Sequence, residues 1–392
     1  MTRSIYNPYS EELDRLSRTG SLRHLPAVKY DGRHIISDGR TMLNLSSNDY
    51  LGLNCIPSLL DRFEASGYFT DRRMSSSSSR LLTGNFEAYT ALEKSLAGMF
   101  GRESALVFNS GYHMNAGILP AITDNRTLIL ADKLVHASII DGIRLSSAKC
   151  IRYRHQDYTM LESLLEKNAG EFSRIIIVTE SIFSMDGDLA DLRRLTGLRK
   201  HYGNIMLYVD EAHAVGVRGE CGLGLAEETG CIQDIDILCG TFGKALCSVG
   251  AYAVCSGTMK EYLINRMRPL IFTTALPPVN IAWTMFILDL IPGLGNERKH
   301  LENTAAMLRK GLEMRGYRSD SSSHIVPMTI GENSAAVKKA EELQRAGFYV
   351  LPVRPPTVPE GTARLRFSLT ADIGEDEIRR LLEAIDTNTA GI

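Results

Sequence analysis

Long apolar runs are missing from this chain. None approaches the roughly 20 residues needed to cross a bilayer, and the longest candidate, 281–291, is too short and carries Asp289. The first residues lead at once into Glu11-Glu12-Leu13-Asp14-Arg15 rather than an apolar core, so no secretory signal is expected. An excess of one charge is missing too. Lysine plus arginine (44) against aspartate plus glutamate (46) leaves a formal net charge of -2, which argues against a broad cationic surface for nucleic acid or anionic membrane. Cysteine is sparse: Cys55, Cys150, Cys221, Cys231, Cys239, Cys247 and Cys255 are odd in number and contain no C-x-x-C pair. That argues against a disulfide framework and a zinc site, and predicts buried free thiols. Also absent is G-x-x-x-x-G-K-[ST], so a nucleotide P-loop is not expected. These absences predict a soluble cytoplasmic protein with no membrane, nucleic-acid or metal partner.

What is present points to an α/β architecture. The 392 residues, 44% of them apolar, can bury at least one full core and leave room for two domains. Short apolar runs at 104–108, 127–130, 174–179, 205–209, 235–239 and 250–255 alternate with stretches of helical spacing such as 159–168 and 189–202. This alternation predicts a mostly parallel sheet wrapped by helices, with Asp191 suited to a helix N-terminus. Around Pro277-Pro278 and Pro292-Gly293 the rhythm changes. A smaller α+β C-terminal domain is expected from there: a helix at 296–315, a strand at 324–330, a helix at 335–346, a proline-rich loop at 352–359, a strand at 363–369 and a helix at 374–387. The expected divisions are an N-terminal segment 1–45, a large domain 46–290 and a small domain 291–392. Five consecutive serines at 75–79 read either as a linker or as a structured loop.

In open sheets of this kind ligands gather at the carboxyl ends of the strands, and four such ends carry candidate groups. After 104–108 comes Asn109-Ser110-Gly111-Tyr112-His113, where free N–H groups at a helix start could hold phosphate, although many such turns hold nothing. After 205–209 comes Asp210-Glu211-Ala212-His213. An aspartate at the tip of a buried strand needs a cation or donors; a protonated pyridinium nitrogen, a metal or plain solvent would each serve, and His213 could address a phenolic oxygen. After 235–239 comes Gly240-Thr241-Phe242-Gly243-Lys244, a lysine placed where desolvation could make its amine nucleophilic, with Thr241 suited to a phosphate oxygen. Alone it would read as a surface lysine. After 128–130 comes His136, which could lie flat on an aromatic cofactor ring or simply cap a helix. The end at 179–187 adds polar groups, among them Ser184. An imine-forming lysine, an acid for a ring nitrogen, a stacking imidazole and a phosphate cradle together match pyridoxal phosphate.

Ordered motifs carry this further. Asn44-Leu45-Ser46-Ser47-Asn48-Asp49-Tyr50-Leu51-Gly52-Leu53, Ser79-Arg80-Leu81-Leu82-Thr83-Gly84, Phe183-Ser184-Met185-Asp186-Gly187, Val209-Asp210-Glu211-Ala212-His213, Thr241-Phe242-Gly243-Lys244-Ala245 and Arg364-Leu365-Arg366-Phe367-Ser368 span nearly the whole chain. The sequence resembles the α-oxoamine synthases, of the aminotransferase-like type I pyridoxal-phosphate fold. The resemblance implies decarboxylative condensation of an amino acid with an acyl thioester carried on coenzyme A or acyl carrier protein, in a homodimer with shared active sites. It implies that Lys244 holds the cofactor as an imine, Asp210 pairs with the ring nitrogen, His213 contacts the ring oxygen, His136 stacks on the ring and Ser184 lies beside it. It further implies that Gly111, Tyr112 and Thr241 hold cofactor and phosphate, that Thr273 and Thr274 reach the neighbouring subunit's phosphate, and that Arg366 binds the amino-acid carboxylate. Arg23, Asn48 and Thr357 are candidates for substrate contact. The motif forms L-N-x-S-S-N-D-Y-L-G-L and S-R-L-L-T-G-N are nearest the branch that joins alanine to a pimeloyl thioester; branches using glycine or serine share most of the rest. A cofactor-free scaffold subunit is the rival of another class. Two departures stand out: serines at 75–79 where relatives are often glycine-rich, and Cys247 where a glycine commonly follows Lys-Ala-Leu. The second is expected to alter only packing.

Overall fold

The computed structural model describes residues 4–387, which form two compact units. The larger comprises Asn48–Ser184 and Asp188–Lys299. Its core is a seven-stranded sheet of β1 (Ser104–Phe108), β2 (Thr127–Asp132), β3 (Lys149–Tyr153), β4 (Arg174–Glu180), β5 (Ile205–Asp210), β6 (Ile237–Thr241) and β7 (Ala251–Cys255), in the order β1-β7-β6-β5-β4-β2-β3. β7 runs antiparallel to both β1 and β6, and the other pairings are parallel. Strands buried on both faces read as unbroken apolar runs, which is why all six expected strands lie within about two residues of their predicted ends; the one expected at 235–239 runs Ile237–Thr241, after a short 3-10 turn at 232–234. The edge strand β3 was not expected: its residues mix charged and apolar, and only Tyr153 is fully buried.

The crossover helices begin where side chains satisfy their first N–H groups. Ser110, His136, Asp157 and Asp191 each accept from a backbone N–H of the helices Gly111–Ile122, Ala137–Leu145, Tyr158–Asn168 and Leu192–His201. Gly142 is required for a close approach, since a Cβ there would lie 2.3 Å from the carbonyl oxygen of Asn115.

The smaller unit takes in the described residues up to Ser47, Met185–Gly187, and the chain from His300 onward. The described residues of the segment 1–45, which the sequence sets apart, are therefore grouped with C-terminal residues, because Leu43 and Asn44 pair in parallel with Phe348 and Tyr349. These close a four-stranded sheet with Lys29–Asp31 and His34–Ser37, none of which the sequence pattern predicted. A second sheet pairs Ala363–Ser368 with Ile325–Gly331 and with Pro352–Val353, so the expected proline-rich loop begins as a short strand. All seven cysteines are free, but only Cys231, Cys239 and Cys255 are buried and Cys221 is exposed, which corrects the expectation of uniformly buried thiols. Among the described residues no single helix is long and apolar enough to cross a membrane.

Candidate active site

Asp210 is the last residue of β5 and is 5% exposed. One carboxylate oxygen accepts from the Asn115 side-chain amide at 2.7 Å and the other from the Ala212 N–H at 2.9 Å. Asn115 lies one turn into the helix Gly111–Ile122 and is itself oriented: its oxygen accepts from the Tyr208 hydroxyl at 2.5 Å, and its nitrogen also donates to Ser138 Oγ at 3.0 Å. These donors fix the orientation of the Asp210 carboxylate. The same network reaches His136, whose Nδ1 lies 2.8 Å from Ser138 Oγ and accepts from the Ser138 N–H at 3.2 Å. An Nδ1 that accepts leaves the proton on Nε2. His136 thus caps its helix as one of the two sequence readings had it, while part of the ring remains open to solvent. Desolvation lowers its pKa, and the nearby Lys244 lowers it further against the opposing charges of Asp210 and Asp141.

Lys244 lies three residues beyond the end of β6, half-buried, with Nζ 2.8 Å from His213 Nε2. The opposite ring nitrogen of His213 is 2.6 Å from the hydroxyl of Tyr50, which in turn donates to Asn48 Oδ1 at 3.0 Å. His213 is 5% exposed and Tyr50 fully buried. Asp210 and His213 are thus engaged by amide, lysine and phenol groups. Beside them, Glu180 ends β4 directly opposite Asp210 in the sheet register and is raised well above the ordinary carboxylate range by burial and by Asp210.

A Cβ on Gly111 would sit 3.9 Å from Thr241 Oγ1, so these two expected phosphate residues face each other. The Thr241 hydroxyl donates to the Gly250 carbonyl at 3.0 Å and accepts from the Gly243 N–H at 3.2 Å, so its proton is turned into the fold. The helix start at Gly111 and Tyr112 offers N–H groups without intrahelical partners. Tyr112 is exposed, and its hydroxyl donates to Asp141 at 2.5 Å, which raises its pKa. Thr274 bridges Ser79, and its carbonyl accepts from Asn109 at 2.6 Å; Thr273 beside it is half-buried. Ser184 is buried at the start of the turn closed by the Phe183 N–H to Asp188 carbonyl bond.

In the smaller unit Arg23 donates to the Thr357 hydroxyl at 3.1 Å, so two of the three weaker substrate candidates meet. Arg366 lies on Ala363–Ser368 and donates to Ser368 Oγ at 2.8 Å. Both departures from the family pattern fall on left-handed backbone: Ser77 has φ 53° and Cys247 has φ 47°. Glycine adopts that region without a Cβ penalty, so Cys247 changes backbone energetics as well as packing, contrary to expectation. Two residues of the site were not singled out from sequence, Asn115 and Tyr50, although Tyr50 lies inside a motif quoted for it and Asn115 two residues beyond the Asn109–His113 turn. Their only signal was a polar group next to an apolar run.

The aminotransferase class I and II family model matches residues 40–385. A protein of Glaesserella parasuis named "putative 8-amino-7-oxononanoate synthase" is 55% identical over 97% of this chain and 100% of its own length. The chain belongs to the aminotransferase class I and II family, as an α-oxoamine synthase. Solved structures of the same group superpose on it. Serine palmitoyltransferase of Sphingomonas wittichii, 30% identical, covers 100% of this chain and 98% of its own with a TM-score of 0.88. 8-Amino-7-oxononanoate synthase of Francisella tularensis, 27% identical, covers 89% and 98% with a TM-score of 0.73. This α-oxoamine synthase is a pyridoxal-phosphate-dependent acyltransferase of the type I fold. The donor set fits that cofactor: an oriented carboxylate, a lysine amine against an imidazole, an open neutral imidazole and a helix N-terminus, all in one unit.

Proposed function

We propose that this α-oxoamine synthase joins L-alanine to a pimeloyl thioester, on coenzyme A or acyl carrier protein, and releases carbon dioxide and the free thiol to give 8-amino-7-oxononanoate in biotin formation. What carries the choice of substrates is the 55% identity, end to end, to a relative of that name. When bound, the cofactor supplies an electron-withdrawing ring that stabilises negative charge on the α-carbon of the amino acid. Lys244 is the residue to hold it covalently and, once displaced, to take the α-proton as general base. Asp210, oriented by Asn115 and the Ala212 N–H, is suited to a protonated ring nitrogen. His213 is suited to the ring oxygen, His136 to the ring face and Ser184 to its edge. Gly111, Tyr112 and Thr241 are assigned to the phosphate end, Arg366 to the alanine carboxylate, and Arg23, Asn48 and Thr357 to the acyl substrate. Thr273 and Thr274 are assigned to the cofactor of a second copy in a cytoplasmic homodimer.

The better superposition of serine palmitoyltransferase favours a second reading, serine with a long acyl chain. Alanine, glycine and serine assayed in turn against pimeloyl, acetyl and palmitoyl thioesters separate the readings. Alanine with the pimeloyl thioester is expected to exceed every other pair by about tenfold or more in kcat/KM, since a single methyl group in a pocket is worth about that. A preference for glycine with acetyl-CoA, or for serine with palmitoyl-CoA, overturns the assignment. Protein that stays colourless after addition of pyridoxal phosphate would instead be a scaffold subunit.

A further inference from the structure

The chain of contacts from Lys244 to Asn48 constrains where its protons lie. A lysine ammonium has donors only, so the His213 Nε2 that faces it at 2.8 Å must be bare. A neutral imidazole carries one N–H, which then sits on Nδ1 and points to the Tyr50 oxygen 2.6 Å away. The phenol, accepting there, gives its single proton to Asn48 Oδ1 at 3.0 Å. Along these three contacts each link then has one donor and one acceptor, in the order set by a protonated Lys244. Burial makes the arrangement strict, since Tyr50 is 0% exposed and His213 5%, and an unpaired N–H in such a place costs about 1–3 kcal/mol.

We propose that Tyr50 is a positioning residue that locks His213 in the Nδ1–H form and so presents Nε2 as the base that takes a proton from Lys244. In that step an Nζ–H bond breaks and an Nε2–H bond forms. The positive charge passes from the ammonium to the imidazole ring, which keeps its Nδ1–H bond to Tyr50, and the neutral amine is left with the lone pair that attacks a carbonyl carbon. No other reactant is needed. The proposal rests on Lys244 being the residue that captures the cofactor, but not on the identity of either substrate.

The test uses full-length protein and added pyridoxal phosphate, with no amino acid or acyl donor present. In Tyr50→Phe, which keeps the buried ring, covalent capture of the cofactor followed by visible absorbance is expected to slow by about tenfold to a hundredfold. Its pH dependence should move to higher pH, because Lys244 must then lose its proton without a preset base. Capture at the wild-type rate and pH overturns the proposal. Nitrogen-15 NMR of the wild-type protein provides a measurement that needs no Tyr50 variant, with the His213 signals assigned by their loss in His213→Asn. The proton is expected on Nδ1, and finding it on Nε2 overturns the proposal. If wild-type protein itself captured no cofactor, the assignment of Lys244 would fail instead.

Discussion

Glu180 and Asp210 are neighbours in register on adjacent parallel strands, and their environments differ. Asp210 has two donors, while Glu180 Oε1 is buried without a hydrogen-bond partner among the described residues. Two buried carboxyls side by side do not both ionise readily. Burial first, then Asp210, drives Glu180 toward its protonated form, against the pull of Lys244 and the His136 N–H. Glu211, also buried, is raised to about 8. An acid whose pKa is raised on folding destabilises the fold once the pH exceeds its unfolded value, here 4.5, by up to about 1.4 kcal/mol for each pH unit until the folded pKa is reached. Glu180→Gln mimics the neutral acid and is therefore expected to unfold at a higher temperature than wild type at pH 7 to 8, with the difference vanishing near pH 4.5. An unchanged melting temperature across that range would show that Glu180 is ionised in the fold.

At the scale of elements, the loops that follow β2 and β4 are tied together by one imidazole. His155 Nδ1 lies 2.9 Å from Asp132, the last residue of β2, and its Nε2 lies 2.7 Å from Asp188. Its ring stands edge-on to Phe183, at 4.4 Å between centroids. His136 lies four residues beyond Asp132, and Ser184 four residues before Asp188. Burial alone would lower the His155 pKa, but the hydrogen bonds and charges of Asp132 and Asp188 prevail and raise it to about 10. A histidine raised from 6.5 contributes stability that is complete below that pH and is lost as the pH rises toward about 10. His155→Gln is expected to lower the melting temperature most at pH 6 and progressively less toward pH 10, a trend that thermal unfolding across that range would check. An equal deficit at every pH would mean that the imidazole carries no charge there.

For the whole molecule, the cofactor should act as a stabiliser. A ligand that binds only the folded chain at 100 times its Kd adds about 2.7 kcal/mol. Pyridoxal phosphate is expected to raise the melting temperature of the wild-type protein, and to raise it less in Lys244→Ala, where only the non-covalent contacts remain. A colour change and stabilisation in Lys244→Ala equal to wild type would remove Lys244 from its assigned role. The formal charge of -2 gives no long-range attraction to an anionic thioester, so its recognition has to come from local groups.

Much of this protein was decided locally. Both-faces-buried strands write themselves as apolar runs, and capping residues such as Asp191 stand next to the helix they start, so the parallel sheet and its crossover helices were legible from spacing. Strand ends, which mark the ligand rim of such a sheet, also made Lys244, Asp210, His136 and Gly111 candidates, though Lys244 alone would read as a surface residue. The edge strand Lys149–Tyr153 and the N-terminal strands were not legible, since half-exposed strands carry mixed residues and their pairing joins distant stretches: Leu43 meets Phe348 across the length of the chain. For the same reason only the tertiary structure joined Asn115 to Asp210, Tyr50 to His213, and Glu180 to Asp210. Hydrogen bonds and carboxyl pairs of that kind depend on distances between residues far apart in sequence, and no local pattern encodes them.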